Sequence, residues 1–547
     1  MTAPVAQVPG RGWRELALVT IAAAILTVVL TFPIAFRIGD VGRADTADGQ
    51  YSLWNVAWVA RTLIVDPMHV FDANIFYPHH GTLAYSESNL ATGFIAIPMY
   101  WATHNPYATL NFAVLVSFLL TAIGTYYLAR YLLEDRRAAA VSAICFTFCP
   151  HLFGHMAEVQ ALMTLGIPFA LLAFHRAADR PTLGRGAVLG LVMAAEALFS
   201  GYYGVFLVLM IGYAVFAVAL TRGLWRVPRY WLSMAAGAIV AIAAITPFYL
   251  PYARIHRLGF ERTLADATRY AANWSSYLAS SAYLHVWMLA FLPPWSDVNF
   301  PGIIATLFGV FGFFAARTKR ERDVVVVYGG FTLLALWMSL GPPAGLYTML
   351  YKAVPMLSWL RTPSRFGLIV TFGLSILAGL TVKGIVTART RGTLVGVAIA
   401  ALAVLESLVP LGLSNAIPVA PVYRVLATLP SGPVIEMPFY YPKVGLYQHT
   451  KYMLASTAHW MPLVNGYSDY TPPDFYENVM TLAPFPSREA MKILEPMRVR
   501  YAVIHLYGYN ERNRREALER LAELAPYFRP IYVDDTTQLY EITGYPK

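Results

Sequence analysis

Long apolar runs separated by short polar interruptions set the pattern of this chain. A helix rises 1.5 Å per residue, so about 20 apolar residues cover a bilayer. Runs of that kind, some a little shorter, stand near residues 16–36, 108–129, 138–150, 159–175, 186–200, 203–221, 231–250, 300–316, 324–340, 364–382 and 393–412. They predict a mainly α, polytopic membrane protein with about eleven spans. Basic residues gather at Arg11/Arg14, Arg130/Arg136/Arg137, Arg176/Arg180/Arg185, Arg222/Arg226/Arg229, Arg317/Lys319/Arg320/Arg322 and Lys383/Arg389/Arg391, in every second loop. By the positive-inside rule those loops and the N-terminus are cytoplasmic, while the loop after the first span and everything after residue 412 lie outside. The first run is long and lacks a small-residue cleavage site, so it reads as a retained anchor.

Two outer loops, 37–107 and 251–299, are longer than a connection needs, and long loops tend to carry function. In the first, Leu53, Trp54, Ala57, Trp58 and Ile64 recur at helical spacing, predicting an amphipathic helix on the lipid surface. Leu90 to Trp101 is apolar but too short to span, which predicts a re-entrant or interfacial piece. Trp274, Trp287 and Trp295 mark the second loop; these and Trp54 and Trp58 suit either an interfacial aromatic belt or contact with sugar rings. The texture changes past residue 412, dividing the chain into a membrane part, 1–412, and an outer α/β domain, 413–547. There Val434 to Phe439, Tyr501 to Leu506, Arg529 to Val533 and Gln538 to Ile542 read as strands. Leu518, Leu521, Ala522 and Ala525 read as the buried face of a helix starting near Asn510.

Composition narrows the function. With 57% hydrophobic and 13% charged residues the chain is no ordinary soluble protein, and its net charge of +10 is spread over short loops rather than gathered for nucleic acid. The only cysteines, Cys145 and Cys149, share a helix face within one apolar run; they are placed awkwardly for a disulfide, lack a second pair for zinc and read as packing thiols. The outer domain has no glycine-rich phosphate loop, dinucleotide fingerprint or nucleophile elbow, which argues against a nucleotide-sugar site.

Candidate chemistry starts with Asp45 and Asp48, two acids at the expected outer water boundary. His151, His155 and Glu158 recur at helical spacing; on one helix face they would either hold a divalent cation, steer an acceptor or pack as interfacial polar groups. His79, His80 and Glu87 repeat that ambiguity. Glu196 falls within an apolar run, where an acid is costly enough to mark function. Arg361 and Arg365 flank Thr362-Pro363-Ser364 at the outer start of a span, on the side the positive-inside rule disfavours.

The motifs Asp45 to Trp58 (D-x-x-D-G-x-Y-x-x-W-x-x-x-W), Phe76-Tyr77-Pro78 with Ser86 to Asn89, Gly201-Tyr202-Tyr203 and Arg361-Thr362-Pro363-Ser364-Arg365-Phe366, with the topology, resemble the GT-C superfamily of membrane glycosyltransferases, most closely its uncharacterised, YfhO-like bacterial members. The resemblance implies a multi-span enzyme of the bacterial cytoplasmic membrane that takes a sugar from a polyprenyl-phosphate donor to an outer acceptor: a glycan, a lipid or a protein. In that family the acid after the first span lies beside the reacting sugar. Here that is Asp45 or Asp48, and Asp48, ahead of Gly49 and a helix, has an alternative as a cap or turn residue. A base there accepts the acceptor hydroxyl's proton, with Glu158 as a further acidic candidate. Arg361 and Arg365, whose guanidinium forks suit phosphate, are assigned to the lipid phosphate. His155, Glu87, Glu196, Tyr202 and Tyr203 complete the expected substrate contacts, and no metal is assigned. Two other classes fit the same topology. A transporter or flippase of lipid-linked sugars would show inverted repeats, of which none is found. A non-catalytic envelope scaffold would tolerate loss of Asp45.

Overall fold

The computed structural model describes residues 11–293 and 297–547. They form two compact units: the described residues of 11–37, 113–250 and 261–412 make the first, and residues 38–112, 251–260 and 413–547 the second.

The first unit is a helical bundle. Across the described chain eight helical segments are long and apolar enough to cross a membrane: Gly12–Leu30, Pro106–Leu133, Arg136–Gly154, Val159–Asp179, Gly201–Thr221, Pro228–Arg257, Lys319–Ser339 and Pro363–Thr387. All eleven expected runs form helices, eight of them of spanning length and composition. The other three runs do form helices, Leu183–Phe199, Ile303–Gly312 and Gly392–Glu406, but they have only 17, 10 and 15 residues. Two of the three are shortened where loop geometry intervenes. Ile303–Gly312 begins where the Glu406 carboxylate accepts the backbone N–H of Ile303 and of Ile304 (Oε2, 3.0 Å), an acid supplied from elsewhere in the chain to cap a helix. Leu183–Phe199 is capped at its start by Thr182, whose side chain accepts from the Arg185 amide, and stops at Ser200.

Small residues let these helices approach closely, the usual device where lipid supplies no hydrophobic drive between helices. A Cβ on Gly312 would stand 2.4 Å from the Leu377 carbonyl, so the Ile303–Gly312 helix lies against the Gly367–Thr387 helix, backbone to backbone. Gly367–Thr387 is the buried axis of the bundle, with Leu368, Phe372, Ile376, Leu377 and Val382 inaccessible to solvent. Cys145 and Cys149 are both buried and unbridged.

The second unit combines a mixed sheet with the first long loop. Strands β1 (Val41–Gly42) and β2 (Ser414–Asn415) pair antiparallel. Strands β3 (Val434–Met437), β4 (Tyr501–His505), β5 (Phe528–Val533) and β6 (Thr537–Ile542) form a sheet of order β3-β4-β6-β5, parallel between β3 and β4 and otherwise antiparallel. All four expected strands are present with ends shifted by a residue or two. The Glu511–Glu523 helix starts where expected, with the Asn510 side chain accepting from the Asn513 amide. Its buried positions are Ala517, Leu521 and Leu524, whereas Leu518, Ala522 and Ala525 are exposed, so the expected face is corrected by a rotation of about one residue.

The Ala47–Val65 helix departs furthest from expectation. It does not lie on lipid: Leu53, Trp54, Val56, Ala57, Val59 and Ala60 are wholly buried, and the helix packs against Leu90–Thr103 and Thr450–Ser456. The Trp54 indole N–H donates to Asn74 Oδ1 (3.0 Å) and the Trp58 N–H to the Val70 carbonyl (2.9 Å), which leaves neither in an aromatic belt. Asn74 in turn donates to Ser456 Oγ and the Met461 carbonyl, tying the first loop to the C-terminal segment inside one unit. Trp274 and Trp287 are exposed, and Trp295 lies outside the described residues.

Candidate active site

In the first unit the chemistry gathers on a charged cluster between helix ends. The Pro150–Gly154 helix stops at Gly154, and the next helical turn, Val159–Leu162, begins only after Glu158. The helical run that would align His151, His155 and Glu158 is therefore interrupted, and the three side chains are spent separately. The His151 Nδ1–H donates to the Val298 carbonyl (2.8 Å) and the His155 Nδ1–H to the His151 carbonyl (2.7 Å). Among the described residues no three His, Cys, Asp or Glu side chains are placed to hold a metal ion.

Glu158 instead takes the Arg365 guanidinium in a short ion pair. His155 Nε2 faces Asp297 Oδ1 at 3.4 Å. Burial disfavours charge on His155, but the hydrogen bond to Asp297 and the charges of Glu158 and Asp297 outweigh it and raise the imidazole to about 9. Burial likewise opposes the charged carboxylates. Arg365 and then His155 nonetheless hold Glu158 below the ordinary range, and His155 holds Asp297 well below it. The result is two anions and two cations in mutual compensation, the condition under which half-buried charge is tolerated. The Arg365 guanidinium also lies 4.3 Å from the Tyr202 ring centre, and Tyr202 Oη accepts the Arg361 backbone N–H (3.1 Å). The Arg361 guanidinium sits 5.3 Å from the Tyr270 ring. Behind them Asn299 donates to Ser364 Oγ (2.7 Å), and Phe206 stacks on Phe366. The motifs around Tyr202 and Arg361 to Phe366 are thus brought together.

Two other expected contacts serve the scaffold. Glu196 is fully buried and its Oε2 accepts the Gly166 amide (2.8 Å), so it caps the Gly166–Asp179 helix. The Tyr203 hydroxyl, also buried, donates to the Ala161 carbonyl (2.7 Å).

Asp297 is the residue that reading the sequence missed. A signal was present: it is the only acid between Asp266 and Glu321.

In the second unit, Asp45 sits in the turn that leads into the Ala47–Val65 helix. Its carboxylate accepts Arg43 Nε at 3.0 Å and is about 44% exposed. The helix cap is Thr46, not Asp48: Thr46 Oγ1 accepts the Gly49 amide (3.1 Å), and Asp48 occupies the first turn, where a negative charge favours the helix dipole. Gly49 explains its own place in the motif, because a Cβ there would lie 1.7 Å from the Arg43 carbonyl oxygen. Gln50 closes the turn by donating to the Ala44 carbonyl (2.8 Å). Glu87 offers its backbone carbonyl to Asn55 and Asn89, each at 3.2 Å. His79 Nε2 lies 3.0 Å from Asp474 and His80 lies 3.6 Å from Asp72.

A family model described as dolichyl-phosphate-mannose-protein mannosyltransferase matches residues 94–248, under a third of the 547-residue chain. Among solved structures, the arabinofuranosyltransferase AftD from Mycobacteria is similar with a TM-score of 0.59 at 13% identity over 97% of this chain, which spans 40% of the AftD chain. ArnT from Cupriavidus metallidurans, bound to undecaprenyl phosphate, is similar with a TM-score of 0.51 at 14% identity, covering 97% of this chain and 98% of ArnT. No curated protein matches. At such identities the likeness is one of fold, and what it shows is that this mainly helical, polytopic chain is similar in fold to membrane-embedded sugar transferases of solved structure.

Proposed function

We propose that this protein is a glycosyltransferase of the bacterial cytoplasmic membrane that moves a sugar from a polyprenyl-phosphate donor to an acceptor on the extracytoplasmic face. The observation that carries the reading is the likeness to ArnT bound to undecaprenyl phosphate, which extends over nearly the whole of both chains. Transfer from a lipid phosphate needs a base for the acceptor hydroxyl and positive charge for the leaving phosphate. Asp45 is the proposed base: its partner Arg43 is two residues away and solvent reaches the pair, so the bond is cheap to release. Asp48 supports it from the first helical turn. Arg361 and Arg365 are assigned to the phosphate. Glu158, held ionised by Arg365 and His155, is a poor proton donor and acts as a positioning residue through Arg365.

The test is transfer of labelled sugar from synthetic polyprenyl-phosphate donors by the purified protein in liposomes that contain candidate acceptor lipids or glycans. Transfer by wild type that Asp45→Asn abolishes supports the reading. Equal transfer by wild type and Asp45→Asn removes Asp45 from the chemistry, and absence of transfer from every donor and acceptor overturns the proposed activity.

A further inference from the structure

At the polar end of the Arg11–Leu30 helix, a cavity of about 460 Å³ is lined by Arg14, Glu15, Leu18, Val19, Tyr126 and Arg136. Its charges are unbalanced. Glu15 is the only carboxylate in the lining, and it is shared: Oε1 accepts from the Tyr126 hydroxyl (2.8 Å) and Arg130 Nε (3.3 Å), and Oε2 from Arg136 Nε (3.1 Å) and Nη2 (2.6 Å). Arg136 is therefore gripped along one edge, and its Nη1 has no partner among the described residues. Arg14 is exposed, rests 5.8 Å from the Trp13 ring and makes no ion pair with a described carboxylate. Two guanidiniums thus line the cavity beside one carboxylate that a third, Arg130, also shares, leaving room and donors for an anion.

The rest of the helix says what carries that anion. Arg14, Leu18, Ile21, Ile25 and Val29 follow one another at intervals of three or four residues, so they form one stripe. Its four apolar members are all more than half exposed. From Leu18 to Val29 the stripe is about 16 Å long at 1.5 Å per residue, close to half of the roughly 30 Å hydrocarbon core. A compact anion at one end and an exposed apolar track of one leaflet's depth running from it match an anionic phospholipid. We infer that this cavity is a binding site for a diacyl phosphatidylglycerol-type lipid, its phosphate held by Arg14 and the open edge of Arg136, one acyl chain lying along Leu18, Ile21, Ile25 and Val29. The inference stands apart from the proposed transferase activity.

The experiment uses the full chain in nanodiscs with equal phosphatidylglycerol and phosphatidylcholine, followed by native mass spectrometry of the lipids retained on release. Wild type is expected to retain phosphatidylglycerol in preference, Arg14→Gln to lower that preference about fivefold, the order expected for one cation at a membrane surface, and Arg14→Lys to keep most of it. Glu15 and Arg136 stay in place in both variants, so unfolding does not confound the comparison, and an unchanged melting temperature verifies this. Equal retention of the two lipids by wild type, or the same preference in Arg14→Gln, overturns the site. So does displacement of the lipid by glycerol phosphate at equal concentration, which marks a free-anion site instead.

Discussion

Glu158–Arg365 and Asp45–Arg43 are the same chemical pair in two different physical settings. The first joins residues 207 positions apart, is largely shielded from solvent, and is locked to a second pair, His155–Asp297. The second joins residues two apart in an open turn. A shielded pair that loses one partner leaves a charge in low dielectric, whereas an exposed pair that opens is rehydrated at little cost. The difference separates a carboxylate that builds from one that is available to react. Glu158 fixes a guanidinium in place; under the proposed function Asp45 would exchange Arg43 for a substrate hydroxyl.

The largest expected effect is on chemistry. Asp45→Asn should lower sugar transfer by about 100- to 10,000-fold, the usual range for a general base, with a melting temperature close to wild type. If the variant instead melts early and retains its specific activity, the roles of the two pairs are reversed. Next comes Arg365→Ala, expected to destabilise the fold by about 3–5 kcal/mol because Glu158 is left uncompensated; Arg365→Ala/Glu158→Gln should recover part of that loss. Thermal unfolding in detergent checks both, and a single mutant that melts like wild type would show that the cluster is not interlocked.

The His155–Asp297 half of the cluster makes a pH prediction with a definite sign. His155 is raised from its usual 6.5 to about 9, so its contribution to stability is complete below pH 6.5 and is lost as pH rises through 9. The melting temperature should fall between those values, and Asp297→Asn should both lower it at pH 7 and flatten the decline. A wild-type curve already flat over pH 6.5–9 rules out a charged His155. In the Asp45 turn, Gly49→Ala must displace the Arg43 carbonyl, which a Cβ would meet at 1.7 Å; a cost of about 1–3 kcal/mol is expected, with a loss of transfer because the turn that aims Asp45 moves.

What reading the sequence captured and missed divides along the same line. Local signals survived: eight long apolar helices, four strands and the Asn510 cap depend on periodicity and on neighbours within a few residues. The Ala47–Val65 helix was misplaced because apolar periodicity reports that a face avoids water without saying whether lipid or protein covers it. Its covering residues come from 90–103 and 450–456. The aligned His151, His155 and Glu158 face failed for a backbone reason, the stop at Gly154, a poor helix former whose signal the spacing of the three side chains overrode in the reading. Asp297 escaped because its meaning lies in His155, 142 positions away in the chain, and only tertiary contact joins them. Arg361 and Arg365 were singled out because a charge at an unexpected boundary is itself a local signal.

Arg43→Gln should have the smallest effect and makes the sharpest test of the comparison. An exposed arginine–carboxylate pair contributes about 0–1 kcal/mol, so the melting temperature should barely change. Apart from its guanidinium on Asp45, Arg43 holds the turn through its backbone carbonyl, which accepts from Thr46 Oγ1 and is kept in glutamine, while Thr46 Oγ1 accepts the Gly49 amide. Transfer should therefore stay within a few-fold of wild type, against the loss of two or more orders of magnitude in Asp45→Asn. A collapse of activity in Arg43→Gln with stability intact would mean that Asp45 works only as half of an ion pair, and the role of base would pass to Asp48, whose Asp48→Asn variant would then have to reproduce the same loss.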